Sequence, residues 1–431
     1  MRIDHIKVDS FKNYDKLTVS FESGINLFVG ANGSGKTSLL EAINVALGGF
    51  FGEQEQKMQR MIDLTEVRVI MSDGNPKRLS KTSIEASSEL INGSWTRNFN
   101  SNTKNNDSKF TKNISTYGNS VIEKFLDAES RDIAPLIAYY STQRLFKDAS
   151  QSAKQKYDSL IGRRNGYLQC LKDNAIKGTL VEWLGNAVTS RATKQIKEIE
   201  FSDLVLENVE TAIKKTLAFF LNDINEDEIK IYQEPDFDFD LFIQLKNDFS
   251  LPINYYSDGF RNLIYLIVDI VWRASQLNPW LTLEEIRSEQ MGCVTIDEID
   301  LHLHPKWQAK AISILQKLLP NVQFFITTHS PTVVANFENG SLFVIDGGNV
   351  YKHSSDYFGR EINSVLRNIL GAADRHIPTQ QKIDKLLVLI DTHPKSSEIE
   401  LLLAELVEQL GEDDVDIQKA IALYEFSKHN G

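Results

Sequence analysis

The sequence predicts an α/β fold with a helical insertion and a helical tail, and three observations carry that prediction. Short apolar runs of strand length alternate with segments of helical period through most of residues 1–352. One such run, Ile25 to Val29, leads at once into the glycine-rich string GANGSGKT, Gly30 to Thr37, and then into a helical pattern from Ser38 to Leu47. Another, Val294 to Ile296, closes in two adjacent carboxylates, Asp297 and Glu298.

In chain order, Arg2 to Val8, Leu17 to Phe21 and Ile25 to Val29 read as three strands separated by polar turns. The string after the third has the form G-x-x-x-x-G-K-T. In that form glycines let successive backbone N–H groups converge on β- and γ-phosphates, the lysine supplies a point charge, and the hydroxyl holds Mg²⁺. The candidate phosphate cradle is therefore Gly30, Asn32, Gly33, Ser34, Gly35, Lys36, Thr37 and Ser38, with Lys36 on the phosphates and Thr37 on the metal. Glu66 to Met71 and Thr82 to Ala86 read as further strands. Asn98 to Asn119 is dominated by Asn, Ser, Thr and Lys and reads as an exposed or mobile loop, with a helix resuming near Val121 to Ala128. Pro135 to Tyr140 is a buried-strand pattern ending in STQR, so Gln143 stands just past a strand end, within reach of a bound Mg²⁺ and an attacking water.

From Ala153 to Leu221 the pattern is mainly helical, interrupted at Gly162, Gly166 and Gly185, and carries no sustained heptad, which excludes a long coiled-coil arm. Between Lys154 and Lys197 nine Lys or Arg face three acids, and Arg163, Arg164, Tyr167 and Trp183 add planar groups. Two readings fit, a solvated helical surface first and a DNA or RNA contact second. Ile229 to Tyr232 and Leu241 to Leu245 then read as paired strands.

NYYSDGFR places Ser257, Asp258 and Gly259 directly before an apolar helix, Phe260 to Ala274. Such a start either caps its own helix or offers a hydroxyl and free N–H groups to a phosphate. In GCVTIDEIDLHLHP, Asp297 is suited to hold Mg²⁺ through water and Glu298 to orient or deprotonate the attacking water. His302 and His304 lack further ligands at metal spacing and read as positional residues of the turn. After a helix from Lys306 to Leu318, the run Val322 to Ile326 ends in TTHSP and delivers His329 toward a γ-phosphate. Open α/β sheets bind ligands outside the carboxyl ends of their strands, where Lys36, Gln143, Asp297, Glu298 and His329 all fall. Ser341 to Ile345 and Val350 to Lys352 are two short strands. Ile362 to Leu370, Gln380 to Ile390, Glu398 to Leu410 and Asp416 to Phe426 form a helical, mainly acidic tail that either caps the core or docks a partner protein or second copy.

The net charge of −12 excludes a chain that coats nucleic acid with its whole surface, and the two cysteines, Cys170 and Cys293, have no paired spacing. A reducing, cytoplasmic setting is the natural expectation, with no run long and apolar enough to span a membrane and no signal-peptide core at the start.

With these blocks in this order, the chain resembles the ATP-binding-cassette ATPases of the RecF, OLD and structural-maintenance-of-chromosomes group. The resemblance implies a P-loop ATPase head with a mixed sheet, an inserted helical lobe and a helical C-terminal tail, using ATP and Mg²⁺. On that pattern GANGSGKT is Walker A, Gln143 the Q-loop glutamine, YSDGFR (Tyr256 to Arg261) the signature, TIDE Walker B, Asp300 to His304 the D-loop region and His329 the switch histidine. The implied division is 1–143 and 251–355 for the ATPase lobe, 144–250 for the insertion with connecting strands, and 356–431 for a tail in partner or oligomer contact.

Tyr256, where the signature usually has Leu, and the ending Phe260-Arg261 argue against a transporter subunit. The short insertion and the tail beginning GREINSVLRNILG look most similar to Septu-type and retron-associated anti-phage ATPase subunits, which act beside a separate HNH-type nuclease. The resemblance further implies a homodimer or higher homo-oligomer, in which Ser257 and Gly259 contact the γ-phosphate bound by another protomer. It also implies no nuclease activity in the chain itself, since no second acidic cluster follows Ser341. A RecF-like DNA repair ATPase and an ATP-binding scaffold or inhibitor with little hydrolysis are the alternative expectations.

Overall fold

The computed structural model describes every residue except 53, 54, 56, 57, 108, 128, 146–161, 173–176, 198–202, 235–239, 247, 248, 355, 356, 371–374, 394, 395 and 431. It divides into two compact units, Met1–Val365 and Leu366–Gly431.

In the first unit, strands β1 (His5–Phe11) and β2 (Tyr14–Ser20) bury alternate residues, the mark of strands with one face on a core. Strand β3 (Ile25–Val29) is buried throughout, and helix α1 (Lys36–Leu47) follows the glycine-rich loop. Strands β4 (Val69–Ser72) and β5 (Asn75–Arg78) form an exposed two-stranded ribbon. Strands β6 (Lys81–Ser88), β7 (Gly93–Asn100) and β8 (Asn105–Asp107) join the first two in an antiparallel sheet of order β2-β1-β6-β7-β8.

Helix α2 (Lys112–Glu123) follows, then β9 (Leu136–Tyr140), α3 (Lys177–Ile196) and α4 (Leu204–Leu221). Strands β10 (Ile229–Glu234), β11 (Asp240–Leu245) and β12 (Phe249–Pro252) form an antiparallel sheet, and α5 (Asp258–Leu277) and α6 (Leu283–Glu289) come next. The unit continues through β13 (Gly292–Ile296), α7 (Pro305–Gln308), α8 (Ala311–Leu318), β14 (Val322–Thr327), α9 (Pro331–Ala335), β15 (Ser341–Asp346) and β16 (Asn349–Lys352).

The six-stranded sheet has the order β16-β15-β3-β14-β13-β9; its last five strands are parallel and β16 is an antiparallel edge. Helix α1 lies between this sheet and the antiparallel one. Trp95 Nε1 of β7 donates to its Ala46 carbonyl at 2.9 Å, and Thr295 Oγ1 of β13 donates to Asn44 Oδ1 at 2.7 Å. The α1 helix, and with it the loop that begins it, is thus fixed from both faces.

Three expectations are corrected. Asn98 to Asn119 is not a loop: it holds the end of β7, all of β8 and most of α2, and the helix expected near Val121 begins at Lys112. Trp95, Arg97 and Phe99 are buried at period two, and Ile114, Gly118 and Ile122 at period four, so core-facing positions persist beneath a polar composition. Gly185 does not interrupt α3 but lies inside it, whereas Gly162–Tyr167 is a 3₁₀ turn. The helix expected from Lys306 to Leu318 is two helices, with a break at Lys310, whose N–H donates to the Trp307 carbonyl three residues back at 3.0 Å.

The planar groups of the basic stretch have partners within the chain, and of the four only Tyr167 is fully buried. Arg163 stacks between Phe125 and Trp280, with its guanidinium carbon 4.4 and 4.6 Å from the ring centroids, and its Nε donates to the Leu277 carbonyl at 2.6 Å. Tyr167 is buried and donates to the Pro135 carbonyl, Trp183 packs on Trp272, and Arg164 pairs with Glu55 at 3.5 Å. Tyr167 is thereby withdrawn from the surface, whereas Arg163, Arg164 and Trp183 stay partly exposed; Lys154 and Lys156 lie outside the described residues.

In the second unit, α11 (Ile377–Thr392), α12 (Ser397–Leu410) and α13 (Val415–Asn430) follow α10 (Ile362–Asn368), which runs across the division. Ile383, Leu386, Ile390, Ile399, Leu406, Ile417, Ala420 and Tyr424 form a core internal to these helices. Part of the apolar pattern that marked the tail as helical is spent on that core, while Val388, Leu401 and Phe426 stay exposed. Among the described residues no helix is long and apolar enough to cross a membrane.

Candidate functional site

Because β9, β13, β14, β3 and β15 run parallel, their carboxyl ends share one edge of the sheet. Gln143 follows β9, Asp297 and Glu298 follow β13, His329 follows β14, and the glycine-rich loop follows β3. The site is gathered by strand direction before any side chain is considered.

The loop is held in shape by its own lysine and by two residues of the β1–β2 turn. Lys36 Nζ donates to the Gly30 and Ala31 carbonyls, both at 2.9 Å. Asn13 Nδ2 donates to the Gly33 carbonyl at 2.9 Å and Tyr14 Oη to the Gly35 carbonyl at 3.0 Å. Gly35 (φ 114°) is in a left-handed conformation, and a Cβ there would sit 2.7 Å from Tyr14 Oη. A Cβ on Gly30 would sit 2.4 Å from the Ile345 carbonyl oxygen. Gly35 caps α1 without any side-chain acceptor, so the first N–H groups of that helix point into the loop uncapped. Ser34 Oγ is buried with no hydrogen-bond partner among the described residues.

The carboxylates meet this loop through α1. Thr37 Oγ1 donates to Asp297 Oδ2 at 2.9 Å, and Thr327 Oγ1 donates to Asp297 Oδ1 at 2.5 Å. Asp297 is buried, 2% exposed, while the Glu298 side chain is 35% exposed and its Oε1 lies 3.9 Å from His329 Nε2. Glu298 is left-handed (φ 47°), an uncommon state for a non-glycine residue and one that turns its side chain out of the strand direction. Burial lowers the Lys36 pKa, and Asp297, Glu298 and Asp300 pull it back up. Burial and then the Lys36 charge lower the His329 pKa, against the same three carboxylates. Lys36, Asp297, Glu298 and His329 therefore share one electrostatic neighbourhood.

Gln143 is exposed and stands three residues beyond Tyr140, whose carbonyl accepts the Asp297 N–H at 2.8 Å. Ser257 is the N-cap of α5: its Oγ accepts the Phe260 N–H at 3.4 Å while the residue stays exposed. Gly259 lies against the turn after the acids, where a Cβ would be 2.1 Å from the His302 carbonyl oxygen, and Asn262 Nδ2 donates to the Leu301 carbonyl at 3.0 Å. His304 Nδ1 accepts the Lys306 N–H at 3.3 Å and so caps α7.

Sequence reasoning missed Asn13, Tyr14, Thr327 and Thr328. Thr328 Oγ1 donates to Asp300 Oδ1 at 2.5 Å, as Thr327 does to Asp297. The two threonines stand in the string that yielded His329 and were legible as hydroxyls at a strand end. Asn13 and Tyr14 carried no such signal.

The fold and the loop define the class: a P-loop ATPase head on a mixed sheet. The family model described as an AAA domain matches residues 5–246, more than half of the chain, and the chain belongs to that family. It is 32% identical over 236 residues to the Retron Ec83 probable ATPase of Escherichia coli, covering 52% of this chain and 41% of that protein, so it spans about two fifths of that relative's length. It is 25% identical over 405 residues to the Retron Vc95 probable ATPase of Vibrio cholerae serotype O1 biovar El Tor, covering 80% and 74%. With the Septu protein PtuA of Bacillus thuringiensis it shares 24% identity over 396 residues, covering 87% and 86%. Among solved structures, an SmcHead bound to the C-winged helix domain of ScpA aligns with a TM-score of 0.47 at 14% identity, covering 82% of this chain and 98% of that one. The retron and Septu relatives are of the kind the motifs pointed to.

Proposed function

We propose that the chain is a Mg²⁺-dependent ATPase of an anti-phage defence system, whose ATP-driven dimerisation regulates a separate HNH-type nuclease. The observation that carries the ATPase reading is the juncture of Thr37, Asp297, Glu298 and His329 beside the Lys36 loop. The defence reading is supported by similarity to the retron and Septu proteins.

The residues fit a nucleotide and a divalent cation. The unpartnered Ser34 hydroxyl, the uncapped start of α1 and the Cβ-free cradle at Gly30 suit phosphate oxygens, and the Asp297 carboxylate beside the Thr37 hydroxyl suits a hard cation. Thr37, Asp297 and Gln143 would hold Mg²⁺, which neutralises phosphate charge when bound. Gly30, Asn32, Gly33, Ser34, Gly35 and Ser38 line the phosphates, and Lys36 exchanges its two carbonyl partners for phosphate oxygens. Glu298 accepts the proton of the attacking water, and His329 beside it holds the γ-phosphate. Ser257 and Gly259 belong to the site of a second protomer, for which the exposure of Ser257 is the supporting feature. Residues 1–143 and 251–355 then form the ATPase lobe, 144–250 the insertion, and 356–431 the tail toward the partner.

Lys36→Ala abolishes ATP binding on this reading. Glu298→Gln keeps binding, slows turnover by ~10²–10⁴-fold and accumulates an ATP-held dimer visible as a doubled mass in solution. Wild-type turnover in Glu298→Gln removes that residue from its role. Failure of an HNH-type protein encoded beside the chain to copurify with it, or to change its cutting with ATP, sinks the partner assignment.

A further inference from the structure

One buried hydroxyl, on the strand next to the acids, is bonded to both of them. Thr327 ends β14 with no solvent exposure. Its Oγ1 donates to Asp297 Oδ1 at 2.5 Å and accepts the Glu298 N–H at 2.8 Å, while its carbonyl accepts the Ile299 N–H at 3.1 Å. The direction of each bond is forced: a carboxylate has no proton to give and a backbone N–H can only donate, so the single hydroxyl proton goes to Asp297 and a lone pair to Glu298.

The opposite oxygen of Asp297 is already taken by Thr37. The carboxylate is thus pinned at both ends, to α1 on one side and β14 on the other. Glu298 has the left-handed φ of 47°, and the bond that captures its N–H is made in that conformation.

We propose that Thr327 is the positioning residue of the site. It sets the rotamer of the metal-side acid and the backbone turn that swings Glu298 out toward His329. The inference rests on the ATPase reading above and deepens it. Valine fills the same volume without a donor or an acceptor, leaving a buried carboxylate oxygen and an N–H without that partner. Serine keeps both bonds.

The test uses the full chain with Thr327→Val and Thr327→Ser. Steady-state turnover is measured together with the affinity for a fluorescent ATP analogue, with and without Mn²⁺ as the cation probe. Thr327→Val is expected to lower kcat by roughly 10–100-fold. It also removes the gain in nucleotide affinity that Mn²⁺ confers, while metal-free affinity stays within about threefold, because no bond from Thr327 reaches the phosphate loop. Thr327→Ser restores both readings. A generally loosened protein would lose metal-free affinity as well and would not single out the cation.

Wild-type kcat and Mn²⁺ response in Thr327→Val overturn the proposal, and so does a Thr327→Ser protein as impaired as the valine one. If the valine variant does not fold, Thr327→Cys, with a weak donor of similar size, supplies the same contrast against serine. If the wild-type chain hydrolyses no ATP, the ATPase reading fails, and the Mn²⁺ arm still decides whether Thr327 orients Asp297.

Discussion

Removing the charge of Asp269 should destabilise the first unit by about 3–5 kcal/mol, because it strands a guanidinium with almost no access to water. Arg273 and Asp269 lie one turn apart on α5 and are 1% and 4% exposed. Arg273 Nε donates to Asp269 Oδ2 at 2.7 Å, and its Nη1 donates to the Gly166 and Leu168 carbonyls, both at 3.0 Å. Tyr140 Oη donates to the same Asp269 oxygen at 2.7 Å. Burial opposes the charge on Arg273, and the neighbouring Asp269 is the largest influence restoring it, so that the guanidinium pKa ends above its ordinary value. Asp269→Asn keeps the shape and an acceptor oxygen and removes only that charge. A loss of about 3 kcal/mol is a change of roughly 150-fold in the folded-to-unfolded ratio.

The assay is urea unfolding followed by the fluorescence of the tryptophans, one of which, Trp272, is buried beside the pair. Asp269→Leu, Arg273→Met and the double variant complete a cycle. Each single should cost about 3–5 kcal/mol and the double at least ~2 kcal/mol less than their sum, since an apolar pair strands no charge. A neutral Asp269→Asn, or strictly additive singles, would refute the reasoning. The pair also has a place in the fold: Tyr140 ends the strand before Gln143, and Ser257 caps the helix that carries Asp269. The Tyr140–Asp269 bond ties that strand end to that helix, which on the proposed dimer serve two different nucleotide sites.

Two further outcomes follow from packing. Gly259→Ala sets a Cβ against the His302 carbonyl and must push α5 away from that turn. It should leave ATP binding by the single chain intact and lower turnover by ~10²-fold through misplacement of Ser257, and equal loss in binding and turnover would point to general unfolding instead. Burial pushes the Cys170 and Cys293 thiols up to about 12. Neither should react with iodoacetamide at pH 8 in the native chain, and both should react in urea. In the folded state the proton is held more tightly than in the unfolded chain, so this contribution to stability is fully present below the ordinary thiol value near 9. It is lost as pH rises toward 12, and urea midpoints at pH 8, 9.5 and 11 should fall in that order.

What could be read from the sequence, and what could not, divides along a physical line. Runs buried on both faces, such as Ile25–Val29 and Gly292–Ile296, show themselves as unbroken apolar stretches, and the residues just past them are the site candidates. The stretch Asn98 to Asn119 failed because its asparagines do the work of backbone. Asn106 exchanges hydrogen bonds with the N–H and carbonyl of Ile62 at 3.1 Å each, and Asn113 Nδ2 donates to the Ser94 carbonyl at 3.0 Å. Polar composition then signals loop while the side chains are replacing ladder bonds at a sheet edge.

Gly118, read as part of the same loop, is glycine because α2 crosses the Phe50 carbonyl so closely that a Cβ would be 1.8 Å from it. The basic stretch hid something of the opposite kind. A cation's sequence position reveals its charge but not the ring beneath it, and Arg163 has found two. The hydroxyl of Thr327 was legible at its strand end, but its partner was out of reach for a third reason. Its meeting with Asp297 depends on β13 lying beside β14, in a sheet whose order from β9 to β15 is not the order of the chain. A residue's chemistry can be read one position at a time. The pinning of one acid by hydroxyls from two other elements exists only once the strands are ordered, so a sequence reading of such a site finds the groups that react before the groups that aim them.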